Sequence, residues 1–150
     1  EIGVTEPQAT FSACFGETFM PMHPGVYADL LSSKMAEHGS TAWLINTGWS
    51  GGSYGVGSRM KIKYTRAMLN AALDGELDDV EYTTDERFGF EIPKSCPGVP
   101  SDVLVPRQTW GDGVAYDATA DKLAAMFNEN FERYSAGVSD EVNAAAPSVV

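Results

Sequence analysis

The side chains best suited to chemistry in this chain fall in one window, from Asn46 to Arg66. Thr47 to Gly57 (TGWSGGSYGVG) holds five glycines, and Arg59, Lys61, Lys63 and Arg66 follow directly. The chain has 21 acidic residues, yet none of the 36 positions between Glu37 and Asp74 is acidic, where the mean density would place about five. Four of the ten basic residues lie there instead. Each part suits an anion. Glycine lets backbone N–H groups approach a ligand closely. A helix N-terminus adds free donors and partial positive charge. Arginine grips phosphate through two parallel hydrogen bonds or stacks on a planar ring. Thr65 offers a hydroxyl to a sugar or a ring nitrogen. The competing reading is a solvated surface loop with four basic side chains on an exposed face.

The window is not a phosphoryl-transfer loop. That motif requires GxxxxGK[ST], whose Lys holds phosphates and whose Ser/Thr holds Mg²⁺; here Gly52 to Gly57 is followed by Ser58 and Arg59. The GxGxxG spacing of dinucleotide folds is also missing, with no acidic residue about twenty positions on to hold a ribose. Elsewhere the signals are weak. His23 and His38 lie at opposite ends of one helix without metal-ligand spacing, and His23 before Pro24 reads as a helix-start residue bonding locally. Asp78, Asp79 and Glu81 form a solvated turn rather than a Ca²⁺ loop. Ser12, Ser53 and Ser58 have no nucleophile elbow around them. Trp43 reads as core; Trp49 either walls a pocket or covers the core.

The elements that position this window follow from periodicity and breakers. Phe11 to Phe19 is a buried strand or an irregular buried segment. A first helix opens at His23-Pro24-Gly25, carries Tyr27, Leu30, Leu31 and Met35 on one face, and ends at Gly39. Thr41 to Asn46 (TAWLIN) has the apolar run of a central strand. Arg59 to Ile62 forms a short strand, and a second helix runs from about Lys63 to Leu73, ended by Gly75. Strand-like pieces lie between Val80 and Ile92, and Pro93 to Pro106 is irregular. A third helix starts at Asp112 and ends near Gly137, with Tyr116, Ala120, Leu123, Phe127, Phe131 and Tyr134 as its apolar stripe. The tail from Ala144 to Val150 reads as frayed. This order points to α/β architecture.

Composition bounds the rest. At 150 residues and 43% hydrophobic content, the chain is the size of one ordinary domain with a real core. A net charge of −11 argues against general nucleic-acid binding. No apolar run is long enough to span a membrane, and no leader is visible at the N-terminus. Cys14 and Cys96 lack metal-binding spacing and read as free thiols of a cytoplasmic protein. Glu1 opens the sequence without an initiator Met, as in a processed protein or a piece of a longer one.

Several segments, in order along nearly the whole chain, resemble the C-terminal part of ATP-dependent phosphoenolpyruvate carboxykinases. They are GVTEP (Gly3 to Pro7), TFSACFG (Thr10 to Gly16), HPGVYA (His23 to Ala28), LINTGWSGGSYGVGSRM (Leu44 to Met60), KYTRAMLNAALDGEL (Lys63 to Leu77), PKSCPGVPSDVL (Pro93 to Leu104), PRQTW (Pro106 to Trp110) and KLAAMFNENFERY (Lys122 to Tyr134). The resemblance implies an α/β fold in which residues 1–150 are the C-terminal portion of the nucleotide-binding lobe, with a mixed sheet and about three main helices. It implies an enzyme of gluconeogenesis that converts oxaloacetate and ATP to phosphoenolpyruvate, CO₂ and ADP with Mg²⁺ and Mn²⁺. The phosphate-binding loop, the metal ligands and the oxaloacetate-binding arginines of such enzymes lie upstream and have no counterpart here. What carries over is the adenosine side of the ATP site: Arg59 contacting the nucleotide, Met60 packing on adenine and Thr65 hydrogen-bonding, with Phe19 near the same pocket. Residues 1–9 correspond to the tail of a mobile active-site lid. Some relatives have Asp where Tyr64 stands, so Tyr64 receives no role. As a fragment, the piece is expected to be inactive alone, to expose strand edges and apolar patches, and to self-associate. The alternative is a free-standing α/β module that binds a nucleotide or small anion without catalysis.

Overall fold

The computed structural model describes residues 3, 5, 9–14 and 16–150. Most of the expected lid tail, residues 1–9, lies outside the described residues. The chain forms two compact units: Glu1–Ala42 with Met126–Ala146, and Trp43–Ala125 with Pro147–Val150.

In the first unit, helix α1 spans Pro24–His38. Proline at its first position costs no hydrogen bond, and the His23 ring caps it, Nδ1 accepting from the Gly25 N–H at 3.1 Å. The local hydrogen bonding expected of His23 is thus observed. Gly39 ends the helix with a φ of 61°, and Ser40 N–H reaches back to the Met35 carbonyl at 3.1 Å, the reverse turn that a glycine permits. The apolar stripe is only partly covered: Tyr27 and Met35 are half-buried, whereas Leu30 and Leu31 are exposed. The stretch before α1 is irregular, with a single 3₁₀ turn at Glu17–Phe19. The expectation that it is buried fails at Phe19, which is 87% exposed.

In the second unit, Ala71 of helix α2 (Ile62–Leu73) packs with Leu77, Cys96 and Val99 at the centre of the core. Trp43, Tyr64, Ala67 and Met68 close around them, as expected for Trp43. Small residues on α2 let the Cys96–Val99 turn approach closely. A methyl placed on Gly98 would sit 3.6 Å from the Ala67 Cβ.

The α/β class holds, with three long helices among the described residues. The strands pair as two separate antiparallel hairpins, β1 (Trp49–Ser50) with β2 (Ser58–Arg59), and β3 (Tyr82–Thr84) with β4 (Glu91–Pro93). Thr41 to Asn46 is not a strand. Its apolar run predicts burial on both faces, but no neighbour pairs with it among the described residues and Leu44 is 79% exposed. A strand exists only through its partner's hydrogen bonds, which a local pattern does not supply. The proline-rich stretch carries two single-turn helices, α3 (Ser101–Leu104) and α4 (Pro106–Thr109).

Helix α5 runs Gly113–Phe131. Asp112 caps its start as expected, its Oδ1 accepting from Val114 N–H at 2.8 Å and Ala115 N–H at 3.2 Å. It stops earlier than the expected Gly137, which lies instead in a 3₁₀ turn, Ser135–Gly137. The buried face of α5 is made by Ala120 and Ala124, while Leu123 and Phe127 are exposed. The tail departs from the frayed end predicted. Helix α6 (Asp140–Ala144) leads into it, and beyond that helix the tail has no regular structure but is tied down, Ser148 N–H donating to the Arg87 carbonyl at 2.7 Å and Val150 N–H to Asp121 Oδ1 at 3.2 Å.

Candidate functional site

The glycine-rich window folds as the β1–β2 hairpin and the start of α2. Asn46 shapes its entry: its Oδ1 accepts from Gly48 N–H at 2.8 Å and its Nδ2 donates to the Trp49 carbonyl at 3.0 Å. Trp49 pairs with Arg59 and Ser50 with Ser58 across the hairpin. Beyond the strands, Gly51, Gly52 and Gly55 adopt φ values of 80°, 154° and 86°, a region in which side chains are strained. Gly57 is required for a different reason. A methyl there would sit 2.6 Å from the Gly52 carbonyl oxygen and 2.7 Å from that of Ser50. The two arms therefore touch backbone to backbone, and the loop is a pinched, hydrogen-bonded turn in which Val56 and Gly57 N–H groups both reach the Ser53 carbonyl, at 3.0 and 2.9 Å.

The three expected site residues straddle the junction of hairpin and helix. Arg59 ends β2 and is exposed. Met60 follows it, 8% exposed, with its N–H donating to the Gly48 carbonyl at 2.7 Å. Thr65 lies half-buried early in α2. No side chain caps the N-terminus of that helix. Lys61 and Lys63 place their ammonium groups 5.7 and 4.9 Å from the centre of the Tyr64 ring, a cation–π arrangement that keeps both charges beside the helix start. Among the described residues, none of Arg59, Lys61, Lys63 and Arg66 forms an ion pair with a carboxylate. Phe19, the fourth candidate, belongs to the other unit.

Two groups near the window were not legible in the sequence. Trp49 and Tyr54 meet edge to face on the hairpin, with ring centres 5.6 Å apart, and both are exposed. Further along, Arg107 of α4 forms a two-toothed hydrogen bond with Asp117 of α5, Nε and Nη2 each 2.9 Å from a carboxylate oxygen. Arg87 reaches Asp121 at 2.6 Å and Asp117 at 3.6 Å. The Arg107 hydrogen bond holds the Asp117 carboxyl below its ordinary range, and Arg87 does the same for Asp121. The one available signal was the Asp117/Asp121 spacing, which puts two carboxylates on one helix face.

Other acidic groups do not converge. Glu81 pairs with Lys94 at 3.1 Å, and among the described residues no three His, Cys, Asp or Glu side chains gather as a metal would require. Both thiols are free: Cys14 is exposed and Cys96 buried, and burial pushes the Cys96 thiol up. None of the described helices is long and apolar enough to cross a membrane.

A family model described as phosphoenolpyruvate carboxykinase matches residues 1–102. Proteins named phosphoenolpyruvate carboxykinase (ATP) align with nearly all of the chain. The one from Geotalea uraniireducens is 61% identical over 142 residues, 95% of this chain and 27% of its own length. The Paracoccus denitrificans protein is 57% identical over 146 residues, 97% and 27% respectively. That of Thermus thermophilus is 56% identical over 147 residues, 98% and 28%. The chain thus spans about a quarter of the length of the relatives it matches.

Proposed function

The chain belongs to the phosphoenolpyruvate carboxykinase family, and on that premise we propose that it is the C-terminal part of an enzyme converting oxaloacetate and ATP to phosphoenolpyruvate, CO₂ and ADP in gluconeogenesis. Its own share is the adenosine side of the ATP site. The observation that carries this reading is the glycine-built hairpin that delivers Arg59, with three further cations beside it and no acid among the described residues pairing any of them. Positive charge beside an uncapped helix N-terminus is mildly unfavourable by itself, and an anion bound there would meet both the cations and the free N–H donors.

In this arrangement Arg59, exposed at the end of β2, grips the nucleotide. Met60 is almost wholly buried and tied to Gly48, so it supplies a fixed apolar floor for adenine rather than a moving clamp. The Thr65 hydroxyl donates or accepts one hydrogen bond. Residues 1–9 act as the tail of a lid that excludes water. The reacting phosphates, the oxaloacetate and the Mg²⁺ and Mn²⁺ ions are held by other parts of the longer protein. No donor set among the described residues fits a divalent cation, so we assign the metals no ligand in this chain. The free thiols and the metabolic role favour a cytoplasmic location.

Arg59→Ala in the full-length enzyme tests the site. Loss of a charge-assisted hydrogen bond should raise the ATP dissociation constant roughly tenfold or more; an unchanged constant would show that the nucleotide binds elsewhere. The exposed Leu30, Leu31, Leu44 and Leu73 also favour self-association of the chain when it is produced alone. A clean monomer on size-exclusion chromatography would count against that.

A further inference from the structure

The hairpin that carries Arg59 has little core of its own. β1 and β2 are two residues each, and an isolated pair of such strands is marginal in water. Something outside the hairpin must fix where Arg59 stands. Gly51, at the turn out of β1, lies directly on α4: a methyl placed on it would be 3.0 Å from the Thr109 carbonyl oxygen. Helix α4 is a single turn, Pro106–Thr109, preceded and followed by extended residues. It cannot hold its place by its own hydrogen bonds.

What holds it is the Arg107 guanidinium, which reaches α5 and closes its fork on Asp117 at 2.9 and 2.9 Å. The seat is built for that group. A methyl placed on Gly113 would fall 2.8 Å from Arg107 Nη2 and 3.0 Å from its Cζ, so the planar guanidinium occupies the space a side chain would need. Behind the fork, Asp117 is backed by Arg87 at 3.6 Å and Arg87 by Asp121 at 2.6 Å, which in turn accepts from Val150 N–H at 3.2 Å. A lone exposed ion pair contributes little, but a two-toothed pair embedded in a network is the exception. Just after α4, the Trp110 ring meets Tyr116 of α5 edge to face at 5.5 Å, so the turn is fastened to α5 at two adjacent points.

We infer that Arg107 is a positioning residue: by locking α4 onto Asp117 and Gly113 of α5, it sets the surface on which Gly51 rests and so fixes the hairpin that presents Arg59 to the nucleotide. This rests on the nucleotide reading of Arg59 for its consequence, though not for its geometry. Arg107 itself touches no ligand in this scheme.

Two measurements on the full-length enzyme test it. Arg107→Ala should speed hydrogen exchange at the amides of residues 48–60 while leaving those of the β3–β4 hairpin at wild-type rates. It should also raise the ATP dissociation constant about fivefold, the scale expected of a coupled network. Arg107→Lys keeps the charge but loses the fork, and should fall between. Gly113→Ala, which crowds the guanidinium without removing it, should move both readouts in the same direction. If Arg107→Ala does not fold, Arg107→Lys and Gly113→Ala carry the same two readouts. Wild-type exchange at residues 48–60 in these variants would overturn the inference. If Arg59→Ala leaves ATP binding intact while Arg107→Ala still loosens the hairpin, the nucleotide reading fails and the strut stands. If Arg59→Ala weakens binding and Arg107→Ala moves neither readout, the strut alone fails.

Discussion

The second unit contains two antiparallel hairpins that solve opposite problems. In β3–β4 the side chains look after one another. Asp85 Oδ1 accepts from the N–H groups of Arg87 and Phe88 at 3.1 and 2.7 Å. The Thr84 hydroxyl donates to Glu91 at 2.6 Å, and Tyr82 packs its ring 6.4 Å from that of Trp43. Its arginine, Arg87, is 13% exposed and satisfied by two carboxylates. In β1–β2 the turn is made by backbone meeting backbone through Gly52 and Gly57, and its arginine has no acidic partner among the described residues. The first pattern makes a stable ornament of the core. The second keeps its charge unpaired among the described residues, which is what a binding loop requires and a structural loop avoids.

The sharpest way to break the comparison is Gly57→Val. Its branched side chain would collide with the Gly52 and Ser50 carbonyls, which lie 2.6 and 2.7 Å from a single methyl. The hairpin should open, and ATP binding by the full-length enzyme should fall by at least the roughly tenfold expected of losing the Arg59 contact, since Met60 is displaced with it; calorimetry would register it. Arg87→Ala should do the reverse of Arg59→Ala. It leaves Asp117 and Asp121 without a cation behind them, so thermal unfolding should begin a few degrees lower, while the ATP dissociation constant should stay within about twofold unless the strut through Asp117 is weakened as well.

Acid should reach both hairpins through α5, where Asp117 seats the Arg107 strut and Asp121 holds Arg87. Asp117 and Asp121 titrate below their ordinary 3.8 when folded because Arg107 and Arg87 hydrogen-bond them. Their contribution is complete above that value, where both states are ionised. It declines as pH falls below about 4 and is gone once the folded carboxyls protonate. Proton-linked loosening, followed by exchange or circular dichroism, should therefore appear below pH 4 and be absent between pH 5 and 8. The smallest effect is expected at Gly89→Ala. Its φ of 68° strains any side chain, but nothing lies within 4 Å, so stability should drop by about 1 kcal/mol with ATP binding unchanged.

These contrasts also mark what a linear reading can reach. Helix starts and stops were legible wherever a single residue decides them: Pro24 and Gly39 for α1, Asp112 for α5. The character of the Asn46–Arg66 window was legible because glycines, cations and an acid-free stretch are local properties. Thr41 to Asn46 was misread because a strand needs a partner that the segment does not encode. The stripe on α5 was misread in detail because periodicity finds the apolar face without saying what covers it; Ala120 and Ala124 are buried while Phe127 is not. The Arg87–Asp121 and Arg107–Asp117 pairs join positions 34 and 10 apart in sequence, and the fold alone brings them together.

The edge-to-face pair of Trp49 and Tyr54 has an optical consequence. Trp49 sits opposite Arg59 in the ladder and is 42% exposed, with a tyrosine 5.6 Å away to feed it excitation. Trp43 and Trp110 are both half-buried and lie off the hairpin. The hairpin proposed to bind the nucleotide thus contains its own fluorophore, and a purine seating beside Arg59 would be read as a change in the colour and yield of the Trp49 indole.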